Sequence, residues 1–163
     1  MKKLESGRSM VEMLGVLAII GVLSIGGIAG YTLSMRRYRA NTVLDAVAKY
    51  SVIAYGSCQQ ELLNGTLSSI SDCNQASFVT AYSDAGIGDI PAGVQSIAFD
   101  HMADIGGSGG SDATKIQIDF GTGSDAQKLC QAALSITGTK SNSGTNETCT
   151  TSPYKLDVLI RQN

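Results

Sequence analysis

The sequence predicts an α+β protein: a long N-terminal α-helix with a membrane-anchoring first half, packed on a small antiparallel-sheet head that carries a second helix. Three observations lead to this. No Asp, Glu, Lys, Arg or His occurs between Met13 and Met35. No proline interrupts the chain before Pro91, and helical spacing persists to Leu62. Beyond that point the apolar residues alternate instead, as in Ile116-Ile118-Phe120 and Leu156-Val158-Ile160. With 163 residues there is room for one domain of ordinary size.

The first half of the helix follows from its composition. At 1.5 Å per residue the uncharged run reaches about 34 Å, enough to cross a bilayer core of about 30 Å. The rest of the chain is too small to bury such a helix on all sides, so membrane insertion is the expectation. Gly15, Gly21, Gly26, Gly27 and Gly30 lie in this stretch. The Gly26-x-x-x-Gly30 spacing lets helix backbones approach closely. The Gly26-Gly27 pair is also the expected place for a bend or local unwinding, since each glycine weakens a helix in water by about 1 kcal/mol relative to alanine.

From Arg36 to Leu62 the pattern is amphipathic. Leu44, Val47, Ser51, Tyr55, Cys58 and Leu62 recur at three- and four-residue steps. Val43, Ala46, Tyr50 and Ile53 form a second strip beside them. Two strips suggest two partners, the chain's own head and neighbouring helices, although one wide core face would give the same pattern. In the head, Val94 to Asp100, Thr114 to Gly121 and Tyr154 to Arg161 read as strands. Ser124-Asp125-Ala126-Gln127 resembles a capping box opening a helix that runs to about Leu134.

Cysteine usage favours an exported head, while charge leaves its orientation open. Cys58, Cys73, Cys130 and Cys149 all follow the apolar run, and an even number in so small a head reads as two disulfides. Zinc-type CxxC or Cys/His spacing is lacking. Four cysteines allow three connectivities. Sequence does not choose among them; the local one, Cys58 with Cys73 and Cys130 with Cys149, is favoured here, and it would enclose the polar stretch 137–148 and tie the long helix to the next segment. Residues 36–61 carry Arg36, Arg37, Arg39 and Lys49 against Asp45 and Glu61, a net +2. Residues 63–163 carry Lys115, Lys128, Lys140, Lys155 and Arg161 against nine aspartates and Glu147, a net −5. With Lys2, Lys3 and Arg8 on one side of the run and three arginines on the other, the positive-inside rule is nearly balanced.

The N-terminus is the most specific segment. Gly7-Arg8-Ser9-Met10-Val11-Glu12-Met13-Leu14 puts a small residue after two lysines, then one carboxylate, then the apolar run. A Sec-type signal would be cut after its apolar stretch, and Gly27-Ile28-Ala29 offers such a place, but that leaves Glu12 unexplained. The segment resembles the leader junction of type IV pilin precursors, which have a glycine before the cut and a glutamate at the fifth mature position. The resemblance implies cleavage between Gly7 and Arg8 by a prepilin peptidase, and storage in the inner membrane as a single-pass precursor. Extraction into an extracellular homo-oligomeric filament with other pilins would follow. It also implies that Glu12 pairs with the α-amine of an adjacent subunit. A carboxylate near a membrane helix costs a few kcal/mol unpaired, which gives such a pair its driving force. One departure stands: the family usually begins with Phe or Met, and this chain offers Arg8.

The implied organisation is a leader at 1–7, a filament-core helix at 8–35, its amphipathic continuation at 36–62 and a head at 63–163. The strand, strand, helix, strand order is similar to type IVb rather than type IVa heads. In the family the loop between the last two cysteines faces outward, which implicates residues 131–148 in contacts. No cofactor, metal, nucleic acid or catalytic role is expected. Gly106 to Ser111 matches no phosphate-binding loop. Asp100, Asp104 and Asp112 do not fit an EF-hand, and His101 has no triad partners in sequence. Asn64-Gly65-Thr66 and Asn146-Glu147-Thr148 are glycosylation-type triplets of a kind that arises by chance. The rival readings are a minor pilin or secretion pseudopilin, and a membrane-anchored periplasmic binding module that never polymerises.

Overall fold

A computed structural model describes residues 6–75, 79–103, 113–137 and 149–161. The fold is α+β, with a long helix α1 (Ser6–Leu63), strands β1 (Ser96–Ala103) and β2 (Ala113–Asp119), helix α2 (Ser124–Thr137) and strand β3 (Lys155–Arg161). Two short 3-10 turns, Ile70–Asp72 and Tyr82–Asp84, lie between α1 and β1. The chain divides into two units, Met1–Met35 and Arg36–Asn163.

Helix α1 is unbroken through Gly26, Gly27 and Gly30, so the local unwinding expected there is not present. Backbone hydrogen bonding along a proline-free run outweighs the propensity cost of these glycines. The helix stops where the sequence supplies a left-handed residue. Gly65 has φ of +75°. Its N–H donates to Leu62 O at 3.1 Å while the Thr66 N–H donates to Glu61 O at 3.0 Å. This pair of bonds is a Schellman motif and satisfies two of the last carbonyls of the helix.

In the second unit, α1 contributes one broad core face. Ala40, Val43, Ala46, Val47, Tyr50, Ser51, Ala54 and Cys58 are all buried. They mix the two strips read from the sequence, and this overturns the two-partner expectation for residues 43–62. At about 100° per residue the two strips are centred about 120° apart, and the buried residues fill the arc between them, so one broad core face draws on both. Leu44, Tyr55 and Leu62 pack at the margin of the same core. The opposite side carries Asp45, Lys49 and Val52.

The sheet has the order β1-β2-β3 with both pairs antiparallel. Ile97, Phe99, Ile116, Ile118, Leu156 and Val158 form its buried face, completed by Leu129, Cys130 and Ala133 of α2. Thr114 is buried among them and donates from Oγ1 to Ile160 O at 3.3 Å. A buried hydroxyl is tolerated when it is bonded in this way. The buried Tyr50 hydroxyl likewise donates to Thr80 O at 2.8 Å, and its ring meets Tyr82 edge-on with centroids 5.4 Å apart.

Strand β1 is longer than the alternation suggests. Phe99 pairs with Ile116 and His101 with Lys115, so Asp100 is the extra residue of a β-bulge. The bulge shifts the alternation by one, so Met102 turns inward where a regular strand would bury His101. Helix α2 extends to Thr137, three residues past the expected end. It starts at Ser124 itself, with the Gln127 N–H bonded to Gly123 O, so Ser124 is not the cap that the sequence suggests. A reciprocal capping box occurs instead at Ser69 and Asp72, on the first 3-10 turn.

Candidate anchoring and assembly surface

The described part of the first unit is helix, and its apolar side chains are largely exposed. Val11, Val22 and Ile25 are 70%, 72% and 73% exposed, and none of the membrane-length apolar window is buried. The helix is long and apolar enough to cross a membrane. Leaving this many large aliphatic side chains in water is unfavourable by about 25 cal/mol per Å². Such a surface could be covered by a membrane.

Glu12 lies exposed near the start of this helix. Gly7 and Arg8 fall within the first turns of α1, and the leader residues 1–5 lie outside the described residues. Gly15, Gly21, Gly26, Gly27 and Gly30 share one property: a Cβ placed on any of them would meet no atom within 4 Å. Nothing in the chain's own packing requires a glycine at these five positions. They leave backbone open to close approach from outside.

In the second unit the four cysteines form two bridges, Cys58–Cys73 and Cys130–Cys149, with sequence separations of 15 and 19. This is the local one of the three possible connectivities. The first ties the last turns of α1 to the segment beside β1, where Asn74 makes an isolated bridge with His101. The second ties α2 to the segment leading into β3. Residues 138–148 of the loop implicated by the resemblance lie outside the described residues, as do Asp104, Asp112 and the glycine-rich stretch 106–111.

The outward face of the sheet holds a polar ladder that the sequence reading did not assemble. Lys115 Nζ lies 2.9 Å from Asp100 and 2.8 Å from Asp157. Gln117 Nε2 donates to Asp157 at 3.2 Å, and Lys155 Nζ donates to Gln117 Oε1 at 3.2 Å. His101 Nδ1 lies 3.3 Å from Asp100. Partial burial alone would raise the Asp100 carboxyl, but Lys115 and His101 outweigh it and hold the group below its ordinary range. Burial alone would lower the Lys115 ammonium, yet Asp157 and Asp100 together raise it. Alternation in β2 signals that Lys115 and Gln117 point outward. Their partners depend on register and on the bulge, which no local pattern reveals.

The ladder links side chains of all three strands across the outward face. Among the described residues, no group of three or more His, Cys, Asp or Glu side chains is placed to hold a metal ion. Comparison with protein-family models, with curated proteins and with solved structures finds no match.

Proposed function

We propose that the chain is a structural subunit of a type IV pilus filament, stored in the inner membrane and assembled through α1. The observation that carries this reading is the uncovered apolar half of α1, with five glycines open to solvent and Glu12 near its start. In a membrane that surface is covered by lipid. In a filament it is covered by the same surface of other copies, and the open glycines allow the helices to pack closely. The role is structural rather than catalytic.

In this reading a prepilin peptidase cuts between Gly7 and Arg8, and the new α-amine of one subunit meets Glu12 of the next. That pairing requires cleavage, so processing precedes assembly. The disulfide-bonded head, with its strand, strand, helix, strand order, forms the outer surface in the manner of type IVb heads.

Intact-protein mass spectrometry on membrane and extracellular fractions tests the proposal. A chain beginning at Arg8 is the expected result. A chain beginning at Met1 would replace the filament reading with a membrane-anchored module, and one beginning near Gly30 would make this an ordinary secreted protein. Gly26→Leu with Gly30→Leu sharpens the test. It leaves the isolated chain folded, because both positions are open, and should abolish extracellular filament.

A further inference from the structure

Immediately after the apolar run come Arg36, Arg37, Tyr38 and Arg39, all exposed. Among the described residues the three arginines carry no ion pair and no side-chain hydrogen bond. The Tyr38 ring is 67% exposed. The next residue, Ala40, is the first of the core of the second unit and is fully buried. Four residues of one helix thus fill the whole interval between the apolar run and that core.

Their angular placement distinguishes the kind of partner. At about 100° per residue, Arg39, Arg36, Arg37 and Tyr38 fall near −60°, 0°, 100° and 200° around the axis. They form a ring. A neighbouring subunit touches one side of a helix and needs a patch, whereas a membrane surface meets a spanning helix from every side. The thickness agrees as well. Four residues rise about 6 Å, and the polar layer of a bilayer is about 5–7 Å on each side. Arginine forks match phosphate oxygens, and tyrosine favours the same layer. Three cations on the outward side also run against the positive-inside bias, a cost that a phosphate contact offsets.

We infer that Arg36, Arg37, Tyr38 and Arg39 form a collar that binds phospholipid headgroup phosphates at the outer surface of the membrane. The collar fixes how deep α1 sits and keeps Ala40 just clear of the bilayer. This rests on α1 spanning a membrane with the head on its outer side, and it holds whether or not the chain is cut at Gly7 or polymerises.

The test uses the full chain reconstituted in phosphatidylcholine vesicles containing one-fifth phosphatidylglycerol, with spin-labelled forms of each lipid. Wild type should prefer the anionic lipid by at least about fivefold, the value of one arginine near a charged surface, and added salt should reduce the preference. R36Q/R37Q/R39Q should lose most of it, R36K/R37K/R39K should retain part, and K2Q/K3Q/R8Q controls for the other end of the helix. The collar residues are exposed, so the variants should keep both disulfides and the wild-type circular dichroism. Equal lipid preference in wild type and R36Q/R37Q/R39Q would overturn the inference. So would a loss of self-association in that variant with lipid preference intact, which would assign the collar to a second copy. Neither outcome depends on where the mature chain begins, so failure here is separable from failure of the filament reading.

Discussion

The two halves of α1 are one continuous helix with opposite surroundings. Residues 10–35 expose aliphatic side chains and open glycines, while residues 40–58 bury an eight-residue face under a sheet. Val22 and Val47 show the contrast in a single residue type, 72% exposed in one case and fully buried in the other. Backbone hydrogen bonding is the same in both halves, so helix formation does not decide which half belongs to the stable fold. Side-chain burial does. The second half is fixed by contacts within its own chain, and the first waits for contacts outside it.

Several substitutions test that contrast, beginning with the largest expected effect. Replacing Cys58 and Cys73 by serine opens a loop of 15 residues and should cost the head about 3 kcal/mol, read from chemical denaturation in detergent. Membrane association of the chain should be unchanged. Val47→Ala should cost about 2 kcal/mol, while Val22→Ala should shift head stability by less than about 0.5 kcal/mol. Equal effects would mean that the first half also contributes to the head, and the contrast would fail. Tyr50→Phe removes the bond to Thr80 O and should cost about 1 kcal/mol with the fold intact by circular dichroism.

The smallest effect is the pH dependence of the Lys115 ladder. Asp100 is held below its ordinary value of 3.8. Its contribution is therefore complete above that pH and lost as the pH falls through the lowered value. Lys115 is raised above 10.5, so its contribution is complete below that pH and lost as the pH rises through the raised value. Head stability should stay flat between these limits and decline outside them. Each decline should be under about 1 kcal/mol, because the Asp100 side chain is 42% exposed. Lys115→Met should flatten both ends of the profile.

Much of this fold is legible because it is written in local periodicity. The uncharged run from Met13 to Met35, the lack of proline before Pro91 and the alternation in β2 and β3 each declare an element within a few residues of its bounds. Strand β1 is the instructive exception. Alternation fails at Asp100-His101 because the bulge inserts a residue there, and a reading based on period two stops where the strand in fact continues to Ala103. The end of α2 is weakly marked as well, since Ser135, Ile136 and Thr137 have middling helix propensity and no glycine or proline stops the helix before Thr137.

What the sequence by itself determined is one-dimensional: a helix long and apolar enough to span a membrane, strands that alternate, and an even set of cysteines beyond the apolar run. Tertiary structure alone decided that two strips of α1 make one core face, that Cys58 meets Cys73 rather than Cys130, and that Asp100 reaches Lys115 across a bulge. Those outcomes depend on distances between residues far apart in the chain, such as Lys115 and Asp157 at 2.8 Å. Such distances follow from how faces and registers fit together when apolar surface is buried, and no local pattern encodes them.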